Sequence, residues 1–238
     1  MDERTKKIVD NFDTMKIGAD DPFKFHCTMC GQCCIHREDI LLSPSDLYNM
    51  AKELDITVTE LYKEYCESYV GSDSRMPIVR LRPRGPVKRC PLLKDRKCMV
   101  QKAKPAICAM FPIGRYIMAQ IDPKDPENHI FGGTQYIFTN PGCGDDGETH
   151  TVREWLESFD IPVEDVAFKK WQQIILELSS VLRDAEKTTE GRLMELAWRW
   201  ILVFTYLDYD TQIPFLPQFE KNAENTIALV HRTLAYGK

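Results

Sequence analysis

The 238-residue chain has no apolar run long enough to cross a membrane as a helix. Its longest apolar-rich stretch runs from Ile201 to Leu207, against the roughly 20 residues a span needs. The opening segment MDERTKKIVDNFDTMKIGADD lacks the apolar core of a secretory signal, so the expected location is the cytoplasm. There is no Gly-rich phosphate loop, no Gly-x-Ser-x-Gly elbow and no paired-carboxylate site. Their absence removes the common nucleotide-binding and hydrolase signatures, and no catalytic residue can be assigned. Repeats and low-complexity segments are missing too. Histidine is scarce, with five residues, and His129, His150 and His231 show no partner pattern. The net charge of -5 argues against non-specific nucleic-acid or membrane binding.

Cysteine is what the chain has in quantity. There are nine, at 27, 30, 33, 34, 66, 90, 98, 108 and 143. In a reducing compartment such clustering points to metal or catalysis, and an odd count fits a closed disulfide framework poorly. The densest motif is C27-T-M-C30-G-Q-C33-C34. Cys-x-x-Cys spacing lets two thiolates converge on one site. Three thiolates at successive x2 spacings resemble the opening of a bacterial ferredoxin run. The fourth cysteine of that run is missing, since position 37 is Arg37, while a distant Cys90-Pro91 offers a remote ligand. The Cys-x3-Cys-x2-Cys pattern of radical enzymes would need cysteine at 26 or 31, which are His26 and Gly31.

Adjacent cysteines constrain the geometry. On an extended backbone Cys33 and Cys34 face apart, so two nearby sites or one multinuclear cluster fit more easily than one mononuclear ion. Cys66 falls in a predicted helix near Tyr62 and Tyr69 and reads as a spare buried thiol. The other eight, Cys27, Cys30, Cys33, Cys34, Cys90, Cys98, Cys108 and Cys143, could supply two four-thiolate sites. All-thiolate ligation excludes magnesium and calcium and leaves zinc or iron–sulfur. A zinc site usually pairs two short knuckles, and Cys90-x7-Cys98 and Cys98-x9-Cys108 are too wide for the second, which favours iron–sulfur. His26 and His36 flank the motif as loop residues or supporting donors. Asp145, Asp146 and Glu148 crowd beside Cys143 in what reads as a turn. Residues 75–104 carry eleven Lys or Arg against Asp95. That segment could favour thiolates, take an anionic ligand, or be a solvated loop.

The expected fold class is α+β and helix-rich. An irregular cysteine-cluster domain with a small β-hairpin spans 1–160, followed by a C-terminal helical extension over 161–238. A polar helix is expected over 3–15, and an irregular loop over 22–42. Ser43 or Ser45 caps a helix with Pro44 in its first turn. A second helix runs from Thr57 or Thr59 to about Tyr69. Prolines break 75–108 into short strands and turns. Residues 113–121 and 130–138 form a hairpin, with Gly132 and Gly133 weakening the second strand or marking a bulge. After Thr151 three apolar stripes predict helices: Ala167, Trp171, Ile174, Leu178 and Val181; then Leu193, Leu196, Trp200, Val203 and Leu207; then Ala223, Ile227, Val230 and Leu234. Trp155, Trp171, Trp198 and Trp200 read as core anchors.

The string HCTMCGQCC resembles the signature of the CxxCxxCC (YkgJ-like) cysteine-cluster family, a zinc- or iron-chelating domain. That family has a downstream block of the type C-x-L…C-x-I/V…RP-x-x-C-R-x-F-P. CPLLKDRKCMVQKAKPAICAMFP is similar and places Cys90, Cys98 and Cys108 on its cysteines. PGCGDDGETHTVREW resembles the family's closing segment and places Cys143. The resemblance covers roughly residues 23–156. Three positions depart from the pattern: Lys104 stands where Arg is usual, Ala109 replaces an Arg, and Gly144 rather than Pro follows Cys143. Flagellin lysine N-methylases carry a similar cysteine pattern. Three readings result. The first is an iron–sulfur protein of the [4Fe-4S] type with a redox role and an unknown redox or protein partner. The others are a zinc-stabilised binding module and a cluster-dependent modifying enzyme such as a protein methyltransferase.

Overall fold

The computed structural model describes residues 11–35 and 40–235. His36, and the expected polar helix up to residue 10, lie outside them. In chain order the elements are α1 (Phe12–Met15), β1 (Lys16–Ile17), β2 (Pro22–His26), a 3-10 turn (Gln32–Cys34) and β3 (Leu41–Leu42). Next come α2 (Pro44–Glu53), α3 (Val58–Tyr65), β4 (Cys66–Val70), β5 (Pro77–Leu81), β6 (Leu93–Lys94) and β7 (Lys97–Cys98). Then follow α4 (Ala106–Ala109), β8 (Ile113–Asp122), β9 (Asp125–Phe138), β10 (Asp145–Thr151) and α5 (Val152–Glu157). The chain ends with α6 (Val166–Ala185), α7 (Gly191–Trp200), a π-helical stretch (Ile201–Leu207) and α8 (Phe215–Ala235). The α+β class holds. The chain divides into two units, Met1–Gln32 with Ile107–Lys169, and Cys33–Ala106 with Lys170–Lys238. No helix among the described residues is long and apolar enough to cross a membrane.

In the first unit β8 and β9 form the expected antiparallel hairpin, and β1 adds to the other edge of β9. The strands run further into the turn than expected, since Asp122 pairs with Asp125. The register shifts between Ile117 and Ala119, so Met118 stands opposite Gly132 and Gly133. The two glycines therefore mark a bulge. A second sheet pairs β2 with β10. Here the expected loop over 22–42 is wrong at its start. Phe23 and Phe25 are buried at alternate positions, which is strand periodicity. Their side chains meet Trp155, with ring centroids 6.0 and 5.7 Å away, and the indole N–H donates to the Met110 carbonyl at 3.1 Å.

In the second unit β3, β5 and β4 make a three-stranded sheet. Helix α2 starts as expected. Ser43 caps it, Pro44 occupies its first turn, and Asp46 completes a reciprocal capping box. Asp46 also accepts the Ala106 N–H at 2.7 Å. Thr57 and Glu60 cap α3 in the same way. That helix stops at Tyr65 rather than Tyr69. Residues 66–70 instead pair with 77–81 over five successive positions, from Cys66↔Leu81 to Val70↔Pro77. A continuous ladder satisfies their backbone groups, so tertiary pairing overrides the helical pattern.

The C-terminal helices also appear. In α6, Trp171, Ile174 and Leu178 are buried as expected, and in α8 so are Ala223, Val230 and Leu234. The middle stripe is displaced. Met194, Ala197, Ile201, Thr205 and Tyr206 are buried, while Val203 is exposed. The π-helical geometry of Ile201–Leu207 widens the turn and moves the buried face off a 3.6-residue period. Trp155 and Trp171 are core residues, whereas Trp198 and Trp200 are half-buried. The Trp198 indole donates to the Arg75 carbonyl at 2.8 Å.

Candidate metal centre

The second unit carries Cys33, Cys34, Cys90 and Cys98. Cys33 and Cys34 lie in the 3-10 turn, and their Sγ atoms are 3.9 Å apart. The tight turn brings the adjacent side chains together, where an extended backbone would have faced them apart. The Cys90 N–H donates to the Cys34 carbonyl at 2.8 Å, which ties the dense motif to the downstream block. The backbone N–H groups of Leu92 and Leu93 favour the Cys90 thiolate, and that of Val100 the Cys98 thiolate; the Leu93 N–H donates to the Cys90 carbonyl at 3.2 Å. Burial pushes both thiols above the ordinary range. The charges of Cys98 and Cys33 push Cys90 further, and that of Cys33 pushes Cys98. Lys104 acts in the opposite sense at Cys98. The mutual charge of these sulfurs opposes their joint ionisation, a repulsion that a bound cation would reverse.

The first unit carries Cys27, Cys30, Cys108 and Cys143. Cys27 and Cys30 are exposed on the segment that leaves β2, and Cys108 and Cys143 are half-buried. Cys143 lines a cleft of about 830 Å³ together with Lys16, Lys24, Phe138 and Asp145. Gly144 explains one departure from the family pattern. Its φ is +73°, and a Cβ there would lie 2.5 Å from the His26 carbonyl oxygen. Proline, fixed near φ of about −65°, cannot take that conformation.

A network beside these cysteines escaped the sequence reading. His26 Nδ1 lies 3.1 Å from Asp145 Oδ1, and its Nε2 is 3.7 Å from Glu148 Oε1. His150 Nε2 reaches the Phe25 carbonyl at 3.1 Å and Glu148 at 3.2 Å. The Gly147 N–H, then His26, holds the Asp145 carboxyl below its usual range. The cause is the pairing of β2 with β10, between residues 119 apart in sequence. The acidic crowd near Cys143 was the available signal.

None of the nine cysteines is in a disulfide. Among the described residues no three Cys, His, Asp or Glu side chains already converge on one point for an ion. The donor set nonetheless fits a thiolate-bound metal, for the Cys33 and Cys34 sulfurs lie 3.9 Å apart and Cys90 is tied to Cys34 through its backbone. Cys66 is different. It is fully buried at the start of β4, and burial pushes its thiol up to about 12. Cys66→Ala is therefore expected to leave metal content unchanged. Metal analysis showing loss in that variant would make Cys66 a ligand.

Residues 26–130 match the CxxCxxCC family model, described as a "putative zinc- or iron-chelating domain". This segment is similar to that family. The matched CxxCxxCC span contains Cys27, Cys30, Cys33, Cys34, Cys66, Cys90, Cys98 and Cys108, whereas Cys143 falls beyond it. The match supports metal chelation by a cysteine-rich domain and leaves zinc and iron both open. No curated protein and no solved structure matches the chain.

Proposed function

We propose that the chain holds an iron–sulfur cluster of the [4Fe-4S] type and serves a redox role in the cytoplasm. The ligand pool is Cys27, Cys30, Cys33, Cys34, Cys90, Cys98, Cys108 and Cys143, with four of the eight in each unit. The observation that carries this reading is the meeting of Cys34 with Cys90, whose N–H donates to the Cys34 carbonyl at 2.8 Å, beside Cys33, whose sulfur lies 3.9 Å from that of Cys34, and Cys98, whose charge bears on Cys90. Neighbouring backbone N–H groups favour the thiolate at Cys90 and Cys98, and such groups tune the potential of an iron–sulfur centre. Lys104 adds a cation to the same environment. When bound, a cluster would supply one-electron chemistry. The protein's own part is to supply thiolates, offset their charge and set their solvent exposure.

One observation favours zinc as a second reading. Four-coordinate zinc with bonds of about 2.3 Å has tetrahedral edges of about 3.8 Å. The 3.9 Å between the Cys33 and Cys34 sulfurs is close to that edge. Protein purified without oxygen distinguishes the two. Visible absorption that bleaches on adding dithionite supports the cluster; a colourless protein that retains stoichiometric zinc supports the second reading.

A further inference from the structure

Residues 82–104 hold nine Lys or Arg against Asp95, a local net charge of +8 in a chain of net charge -5. The remainder of the chain therefore carries −13. The concentration is also visible in the pairing of charges. Elsewhere in the second unit Arg75 meets Glu186, Arg80 meets Glu67 and Lys170 meets Glu220. Lys94, Arg96, Lys97 and Lys102 are exposed and have no carboxylate partner among the described residues.

The β6–β7 hairpin holds these cations at a cost. Lys94 and Lys97 face each other in register. Like charges directly opposite on an antiparallel pair destabilise it. The two residues between them, Asp95 and Arg96, have φ of +49° and +62°. Such a turn prefers Asn-Gly, because both positions need the left-handed region. Arg96 at its tip adds backbone strain to charge repulsion. A hairpin selected only for stability would have neither feature. Cys98 ends this same hairpin, and the Arg89 guanidinium donates to the Leu93 carbonyl at its start.

We propose that this hairpin and its flanks form a docking surface for an acidic segment of a partner protein, brought beside Cys90 and Cys98. The inference goes beyond the metal assignment and stands without it. Charge complementarity requires an anionic partner. Three observations select a protein over nucleic acid or lipid. Residues 82–104 contain no aromatic residue or histidine on which bases could stack. They also lack the bulky aromatic residues that anchor a basic surface in a bilayer interface. The charge of −13 on the remainder opposes a long polyanion. Val87, 49% exposed, and Met99, 36% exposed, supply apolar contacts among the cations, a composition suited to protein interfaces.

The double variant Lys94→Gln/Lys97→Gln tests the surface on the full-length, metal-loaded protein. A labelled poly-L-glutamate peptide is the probe, followed by fluorescence anisotropy. Binding is expected to weaken about tenfold, one decade of affinity, and to weaken with added salt. The same variant is expected to unfold at a higher temperature, because the opposed charges are gone. Unchanged metal content separates this result from any failure of the metal reading. Arg192→Glu, an exposed cation on α7 outside the patch, should bind the peptide as wild type does. The proposal is overturned if the double variant binds as well as wild type. It is also overturned if polyuridine or phosphatidylserine vesicles bind more tightly than the peptide. Should the double variant fail to fold, Lys97→Gln alone and a salt titration of wild type replace it. Undiminished peptide binding in either of those measurements overturns the proposal as well.

Discussion

Replacing Cys98 with serine is expected to strip most of the metal from the purified protein. A serine hydroxyl stays protonated near neutral pH and is a poor ligand for zinc or iron. Losing a supporting hydrogen bond alone costs roughly 10- to 100-fold in metal affinity, and loss of a ligand itself should cost more. The protein should lose stability as well. A metal present at about 1,000 times its dissociation constant contributes about 4 kcal/mol to folding. The Cys98→Ser variant should therefore melt at a lower temperature, and a strong chelator should move wild type towards the same value. Metal analysis and thermal denaturation of both proteins check this. Full metal occupancy in Cys98→Ser would remove Cys98 from the ligand set.

Trp155→Ala is expected to destabilise the first unit by about 3–5 kcal/mol, the range for deleting a buried large aromatic side chain. Trp155 is buried, packs its ring against Phe23, Phe25, His150 and Phe159, and donates to the Met110 carbonyl. Phe23 and Phe25 belong to β2, the strand that leads into Cys27. Hydrogen exchange followed by mass spectrometry should show faster exchange over 22–26 and 145–151. The three-stranded sheet of the second unit should keep its protection. Unchanged exchange over β2 and β10 would mean that Trp155 does not hold that sheet.

The parts legible in the sequence were those fixed by neighbours along the chain. Ser43, Pro44 and Asp46 announce α2 because capping is a contact between residues three apart. Gly132 and Gly133 announce the bulge because they interrupt an otherwise β-forming run. Partners far apart in sequence were hidden. Strand β2 has only Phe23 and Phe25 as its alternating pair, and its partner β10 is written almost wholly in polar residues. Cys66 falls within the predicted helix, yet it starts a strand because β5 offers a ladder.

At the candidate site, the cysteine positions are read directly from the sequence, whereas their geometry is not. On an extended backbone Cys33 and Cys34 would face apart, whereas a 3-10 turn brings their sulfurs to 3.9 Å. No local pattern reports such a turn between two identical residues. The acidic residues beside Cys143 hint at the His26–Asp145 contact, but the partner depends on the β2–β10 pairing.

Iron and acid-labile sulfide, measured together on protein purified without oxygen, test the central claim most directly. Iron and sulfide in equal amounts are expected, with no more than trace zinc. Stoichiometric zinc without labile sulfide would contradict the iron–sulfur assignment, and the absence of any bound metal would contradict thiolate ligation altogether.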